Sequence, residues 1–192
     1  MQNKGVTIII AAAVIAVFGI GGYYVGTRSA GNKGVAAQGV QRSANESVSQ
    51  AVGTSAMIDD LNAKVSASPR DTELLSRLAD AYFDKKQFDE AVKYYKKVIE
   101  LKPDDASTYN EIGLSLHYQG KSAEGVRYID EGIKKNPYFQ KIWLTKGFIL
   151  AYGMGDLSAA KEAWEKTKAL NPESNEGKAA ADYLSHMAVA KK

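Results

Sequence analysis

Few residues of this chain have the types and spacing that catalysis needs. The 192 residues include two histidines, His117 and His186, and no cysteine. The histidines fall in different predicted elements, and no phosphate-binding glycine loop or histidine–carboxylate metal spacing is present. The paired acids at 59–60 and 104–105 stand near predicted helix starts, where capping explains them. The sequence therefore predicts no enzyme, cofactor, metal site or small-molecule substrate.

The basic charge of the chain is concentrated near the N terminus. Four basic residues, Lys4, Arg28, Lys33 and Arg42, stand there against Glu46, which accounts for the whole net charge of +3. The rest of the sequence is electrically balanced. A nucleic-acid partner needs clustered lysine and arginine, so none is predicted.

The N-terminal charges surround an apolar segment. Residues 6–25 contain no charged side chain, and a helix of that length spans about 30 Å, the hydrocarbon thickness of a bilayer. Lys4 and Arg28 flank the segment, and Tyr23 and Tyr24 stand at its end, where aromatic rings favour the headgroup region. This pattern is typical of a membrane-spanning helix.

We predict a tail over residues 1–5, a transmembrane helix over residues 6–26 and a flexible linker over residues 27–55. A cleaved signal peptide is the alternative, but Arg28 stands where cleavage requires a small residue. The linker is rich in Gly, Ser, Ala, Gln and Asn and cannot bury enough apolar surface to fold. Because so short a leader usually stays inside, we expect the C-terminal part outside the cytoplasm.

The four prolines divide the remaining sequence into equal parts. Pro69, Pro103, Pro137 and Pro172 follow one another at intervals of 34, 34 and 35 residues. A proline lacks the N–H that a helix needs and restricts the residue before it, so each one ends a helix. A 34-residue period is the signature of a stacked array of helical hairpins.

Small and large apolar residues recur in register with the prolines, at the positions where paired helices must approach closely. Helix A of each repeat carries Leu75, Leu78, Ala79 and Tyr82; Tyr109, Ile112, Gly113 and Leu116; and Trp143, Gly147 and Leu150. Helix B carries Ala91, Tyr95 and Val98; Gly125, Ile129 and Gly132; and Ala160, Trp164 and Thr167. Lys146 departs from the pattern, and one residue is inserted within 152–155.

This pattern resembles the tetratricopeptide repeat (TPR). The resemblance implies an all-α fold, with an α-solenoid of three TPR hairpins over 71–104, 105–138 and 139–173. Flanking helices are predicted over 56–68 and 174–190, and Asp71 and Asp105 are predicted helix N-caps. By its layout the chain is similar to bacterial periplasm-facing TPR proteins. The run from Leu61 to Tyr82 resembles the opening of repeat domains of c-type cytochrome maturation.

In this family the A helices line a concave groove that receives a protein or peptide partner. The register places two kinds of side chain there, aromatic or apolar and polar. The predicted groove residues are Asp80, Phe83, Asn110, Leu114, His117, Tyr118, Lys141, Thr145, Phe148 and Tyr152. Four of them are expected to form an aromatic trough, with Asn110, Thr145 and Lys141 as polar contacts.

One subclass of the family binds the acidic C terminus of heat-shock chaperones through a clamp of lysine, asparagine and arginine. The corresponding positions are Ser76, Asp80, Glu111, Lys141 and Thr145, and only the lysine fits. Two acids at these positions would repel a carboxylate ligand. The clamp function is therefore not predicted.

The resemblance implies a membrane-tethered adaptor or holdase at the bacterial inner membrane, with its TPR domain in the periplasm. Its role would lie in cytochrome c maturation or in envelope protein biogenesis. The alternative is a constitutive structural subunit of an envelope complex, such as a translocon, pilus or secretion assembly.

Overall fold

The computed structural model describes residues 55–189, and the predicted transmembrane helix lies outside these residues. Among the described helices, none combines the length and the apolar character that crossing a bilayer requires. The described part of the chain is all helical and contains no strand.

Eight helices follow one another along the described chain. They are α1 (55–67), α2 (Thr72–Asp84), α3 (Phe88–Leu101), α4 (Ala106–Tyr118), α5 (Ser122–Lys135), α6 (Gln140–Phe148), α7 (Leu157–Leu170) and α8 (Asn175–Val189). A π-helical segment, Ile149–Met154, continues α6. The predicted α-solenoid is confirmed: α2–α3, α4–α5 and α6–α7 pair as hairpins, α1 packs on the first and α8 on the last.

The prolines end the second helix of each hairpin. Helices α3, α5 and α7 each stop two residues before a proline. The residues directly before the prolines, Lys102, Asn136 and Asn171, leave the helical region with ψ values of 76°, 94° and 100°. Steric conflict with the proline ring accounts for this conformation.

Aspartates begin the following helices. The Asp71 side chain accepts hydrogen bonds from the backbone N–H groups of Glu73 and Leu74, and that of Asp105 accepts one from Ser107. Both predicted caps are therefore present. Asp156 caps α7 in the same way, through the N–H of Ala159. Each cap satisfies helix N–H groups that have no partner within the helix.

The turns inside the three hairpins share one backbone feature. Each contains a residue with positive φ: Lys86 at 59°, Gly120 at 77° and Gly155 at 69°. These positions are 34 and 35 residues apart, as the prolines are. The inserted residue of the third repeat therefore lies between the start of α6 and Gly155, and the helix takes it up as the π-helical segment, in which one extra residue widens a turn.

The core consists of four clusters that follow one another along the solenoid. The first joins Ile58, Leu61 and Val65 of α1 to α2 and α3. The last joins Trp164 of α7 and Ala180 of α8 to α6. Helix α1 thus covers one end of the array and α8 the other, as end helices of a solenoid must.

Candidate protein-binding face

The first helices of the three hairpins, α2, α4 and α6, lie side by side. Helix α4 contacts α6, and α6 contacts α8. We call their common side the A-helix face, and define it by Asp80, Glu111, Tyr118, Lys141 and Tyr152. Every predicted groove residue lies on one of these helices or on the π-helical segment that continues α6.

Aromatic side chains form a continuous series of ring contacts across the A-helix face. Phe83 lies 5.9 Å from Tyr118, His117 lies 5.4 Å from both Tyr118 and Phe148, and Phe148 lies 5.1 Å from Tyr152, between ring centroids. The structure thus brings together the four aromatic residues of the predicted trough. His117 joins the first half of this series to the second.

Two further rings extend the series beyond the predicted residues. Phe88, at the start of α3, stacks on Tyr118 at 5.2 Å. Tyr183 of α8 meets Tyr152 at 6.4 Å and stacks on Trp164 at 4.6 Å. The helical register alone does not reveal either ring, because Phe88 lies outside the A helices and Tyr183 was assigned to an end helix. We call the set Phe83, Phe88, His117, Tyr118, Phe148, Tyr152 and Tyr183 the ring network.

The ring network is only partly covered by the rest of the fold. Tyr118 and Tyr152 are 40% and 56% exposed, whereas Phe83 is 7% exposed. The buried Phe83 ring packs against the exposed ring of Tyr118. Such a surface of rigid aromatic side chains, held by their neighbours, is of the kind that anchors protein partners.

His117 has a positioning role within this face. Its Nδ1 lies 3.0 Å from the Ser122 hydroxyl, and a Cβ at Gly153 would approach that same Nδ1 to 2.7 Å. Partial burial lowers the pKa of the His117 imidazole, which favours the neutral ring near pH 7. The imidazole therefore joins the end of α4, the start of α5 and the π-helical segment.

The other end of the face is polar. Lys141 Nζ lies 2.9 Å from Glu111 Oε1, and the Asn110 side-chain amide donates to the same oxygen at 3.2 Å. Asn110 is 0% exposed, and its Oδ1 has no hydrogen-bond partner. A buried acceptor of this kind is uncommon in folded proteins.

Asp80 of α2 lies beside this group. The Tyr95 hydroxyl donates a 2.6 Å hydrogen bond to Asp80 Oδ1. Desolvation raises the pKa of the Asp80 carboxyl, and the negative charges of Glu111 and Asp84 add to this effect. Burial and the Asp80 carboxylate likewise raise the pKa of Tyr95, so this phenol stays protonated.

The polar contacts of the face differ from those expected. Asn110 and Thr145 are buried, so neither offers an open polar group. Leu114 is half-buried against the core between the first two hairpins. Asp80 and Lys141 remain exposed. Helical positions one residue apart point about 100° apart, so a small error of register exchanges a lining residue for a buried one.

Lys146, which departs from the repeat pattern, is held at the surface. Its ammonium lies 2.7 Å from Asp130 of α5 and 5.6 Å from the centre of the Trp143 ring. Within residues 55–189, no three carboxylate or imidazole groups converge as a metal site would require.

A family model described as "TPR repeat" matches residues 79–120, which run from the middle of α2 through α3 and α4. This stretch of the chain is therefore similar to the TPR repeat. Two curated relatives match with 91 aligned residues: DnaJ homolog subfamily C member 7 of Homo sapiens at 29% identity and that of Mus musculus at 28%. The aligned residues are 47% of this chain and 17% of either relative, so the chain spans about a sixth of their length.

Solved structures of similar fold include a TPR domain. A crystal structure of MamA aligns with a TM-score of 0.57 at 22% identity, over 69% of this chain and 81% of that one. The first TPR domain of Spaghetti (RPAP3), bound to the HSP90 peptide SRMEEVD, aligns with a TM-score of 0.55 at 20% identity, over 62% and 91% of the two chains. At such identities the likeness concerns the TPR fold alone.

Proposed function

We propose that the TPR domain is a protein–protein interaction module that holds a partner polypeptide on the A-helix face, as an adaptor or holdase. One observation carries the proposal: the ring network runs across three consecutive A helices and leaves Tyr118 and Tyr152 open to solvent. The RPAP3 domain of similar fold, which binds a peptide, supports this use of the fold.

We further propose that residues 6–26 anchor the chain in the bacterial inner membrane and that the TPR domain faces the periplasm. The support is the sequence: an uncharged apolar segment with basic flanks, followed by a polar linker. A role in cytochrome c maturation or envelope protein biogenesis belongs to this proposal, and it rests on the resemblance of residues 61–82.

Site-specific photocrosslinking in the native membrane tests the binding role. A photoreactive phenylalanine analogue replaces Tyr118 or Phe148 in the full chain. Tyr138, which is 79% exposed in the turn after α5 and outside the ring network, provides the matched control position. We expect the first two positions to capture polypeptides and Tyr138 to capture none.

The captured products also separate the two modes of binding. A series of unrelated polypeptides supports a holdase, whereas one stoichiometric partner supports a constitutive subunit of an envelope complex. Capture at Tyr138 with none at Tyr118 and Phe148 would contradict the proposed face.

A further inference from the structure

The carboxylates of the A-helix face outnumber its cations. The Asp80 carboxyl interacts electrostatically with the carboxylates of Asp84 and Glu111 and with the ammonium of Lys141. Lys141 is already paired with Glu111. Among the ion pairs of residues 55–189, none includes Asp80 or Asp84. Two carboxylates of α2 are thus left without a cationic partner.

The buried amide of Asn110 lies beside Glu111 and donates to it. Its Nδ2 and the Lys141 ammonium meet on one oxygen, Glu111 Oε1, while its Oδ1 has no partner. The amide is closed to solvent, so a ligand would meet Glu111 and not Asn110. A ligand ammonium or guanidinium that took the place of Lys141 would pair with Glu111, which would keep its hydrogen bond from Asn110.

The acidic end adjoins the ring network. Asp80 and Asp84 are one helical turn apart on α2, on either side of Phe83, and Phe83 contacts Tyr118. On α4, Glu111 and Tyr118 are two turns apart, which is about 10.5 Å along the axis. A polyproline II segment rises about 9.3 Å over three residues and returns its side chains to the same side.

We propose, on the basis of the proposed function, that the A-helix face binds an extended segment with a lysine or arginine and, three residues away, an aromatic or large aliphatic side chain. The basic side chain lies among Asp80, Asp84 and Glu111, and the apolar one lies on Tyr118. A clamp for an acidic C terminus has the opposite charge preference. The single positive charge of Lys141 does not outweigh the three carboxylates.

Fluorescence anisotropy with the full chain and labelled seven-residue peptides tests this preference. The first peptide carries an arginine and a tryptophan three residues apart, the second has glutamate in place of the arginine, and the third is the acidic sequence SRMEEVD. We expect the arginine peptide to bind about tenfold more tightly than the other two at low salt, and the advantage to shrink at high salt.

The matched protein variants remove the same charge from different places. Asp80→Asn/Asp84→Asn neutralises the unpaired carboxylates, whereas Glu100→Gln/Glu162→Gln neutralises exposed positions on α3 and α7. The first variant is expected to lose the preference for arginine and the second to retain it. Thermal unfolding by circular dichroism confirms that both variants fold.

The outcomes distinguish this inference from the proposed function. If both tryptophan peptides bind equally and Tyr118→Ala weakens them alike, the face binds polypeptides but the charge preference is wrong. Equal or tighter binding of an acidic peptide, or an advantage that survives Asp80→Asn/Asp84→Asn, also overturns the inference. If no peptide binds and Tyr118 captures nothing in the membrane, both proposals fail.

Discussion

The surroundings of Asp80 in the fold disfavour the charge of its carboxylate. Its pKa is raised in the folded chain, so the protonated carboxyl is the form that the fold favours. The stability that the protonated Asp80 carboxyl contributes is complete below the unfolded pKa of about 3.9, and it is lost as the pH rises through the folded pKa. The ionised carboxylate is therefore the form that the folded surroundings of Asp80 disfavour.

We predict that Asp80→Asn raises the melting temperature at pH 7 by about 1–2 °C, and that the gain vanishes near pH 4. The amide removes the charge but keeps an oxygen for the Tyr95 hydroxyl, and solvent screening keeps the effect small. Thermal unfolding at both pH values measures it. A variant that is less stable than the parent at pH 7 would show that the ionised hydrogen bond outweighs the desolvation.

The residue types of the face were readable from the sequence, but their individual exposure was not. Tyr118 and Tyr152 stand open at the predicted register positions. Asn110 is as polar as an exposed contact residue, yet the neighbouring helices bury it completely. Whether neighbouring helices bury a side chain depends on how far each hairpin is displaced from the next. The residue pattern within a single helix does not reveal that displacement.

The close approach of α4 and α5 depends on glycine. A Cβ at Gly113 would lie 2.6 Å from Ile129 Cγ1 and 3.0 Å from the Gly125 carbonyl oxygen. Ile129 is itself fully buried, so any shift of its side chain must take place within the packed core. The helix-propensity gain of alanine, about 1 kcal/mol, is therefore smaller than the cost of overpacking, about 1–3 kcal/mol.

We predict that Gly113→Ala destabilises the domain by about 1 kcal/mol and that Ile129→Val relieves part of the conflict. Urea unfolding of the two single variants and the double variant gives the coupling between the sites. The double variant is expected to lose less stability than the two single losses together. If Gly113→Ala were as stable as the parent, the helices would have to separate without cost.

Lys86 holds a turn position for which glycine is better suited. Its φ of 59° matches that of Gly120 in the next hairpin, where a Cβ would meet nothing within 4 Å. A side chain with positive φ costs about 1 kcal/mol or more, because Cβ crowds the following carbonyl. Glycine avoids this cost but loses more chain entropy on folding.

We predict that Lys86→Gly stabilises the first hairpin by about 0.5 kcal/mol and that Gly120→Ala destabilises the second by about 1 kcal/mol. The urea midpoints of the two variants should therefore move in opposite directions. A lower midpoint for Lys86→Gly would mean that the entropy lost by glycine exceeds the strain it relieves.

The hairpins were predictable because their signals are local. A proline ends a helix and an aspartate begins one through contacts with the nearest turn, so Pro103 and Asp105 act wherever the hairpin lies. The 35-residue step also reveals the inserted residue. Its π-helical form does not follow from the sequence, because it depends on how closely Gly153 packs against His117 and Ser122 of the preceding hairpin.

At the scale of the whole molecule, stability depends on the number of neighbours that each hairpin has. In a stacked array each unit contacts only the units beside it. The hairpin α4–α5 has a packed hairpin on both sides, whereas α1 and α8 have packed neighbours on one side only among the described residues. Its glycines oppose this advantage, because Gly113, Gly125 and Gly132 lower its intrinsic helix propensity.

The balance between packing with neighbouring hairpins and low helix propensity decides which part of the array opens first. The close contacts at Gly113 and Gly125 exist only when α4 and α5 are fully paired, so packing and pairing are lost together. We therefore expect the amides of α4 and α5 to exchange most slowly in native-state hydrogen exchange, and those of α1 and α8 most rapidly. Mass spectrometry of peptic fragments measures the order. Exchange of α4 and α5 before α8 would mean that the glycines dominate and that the array opens at its centre.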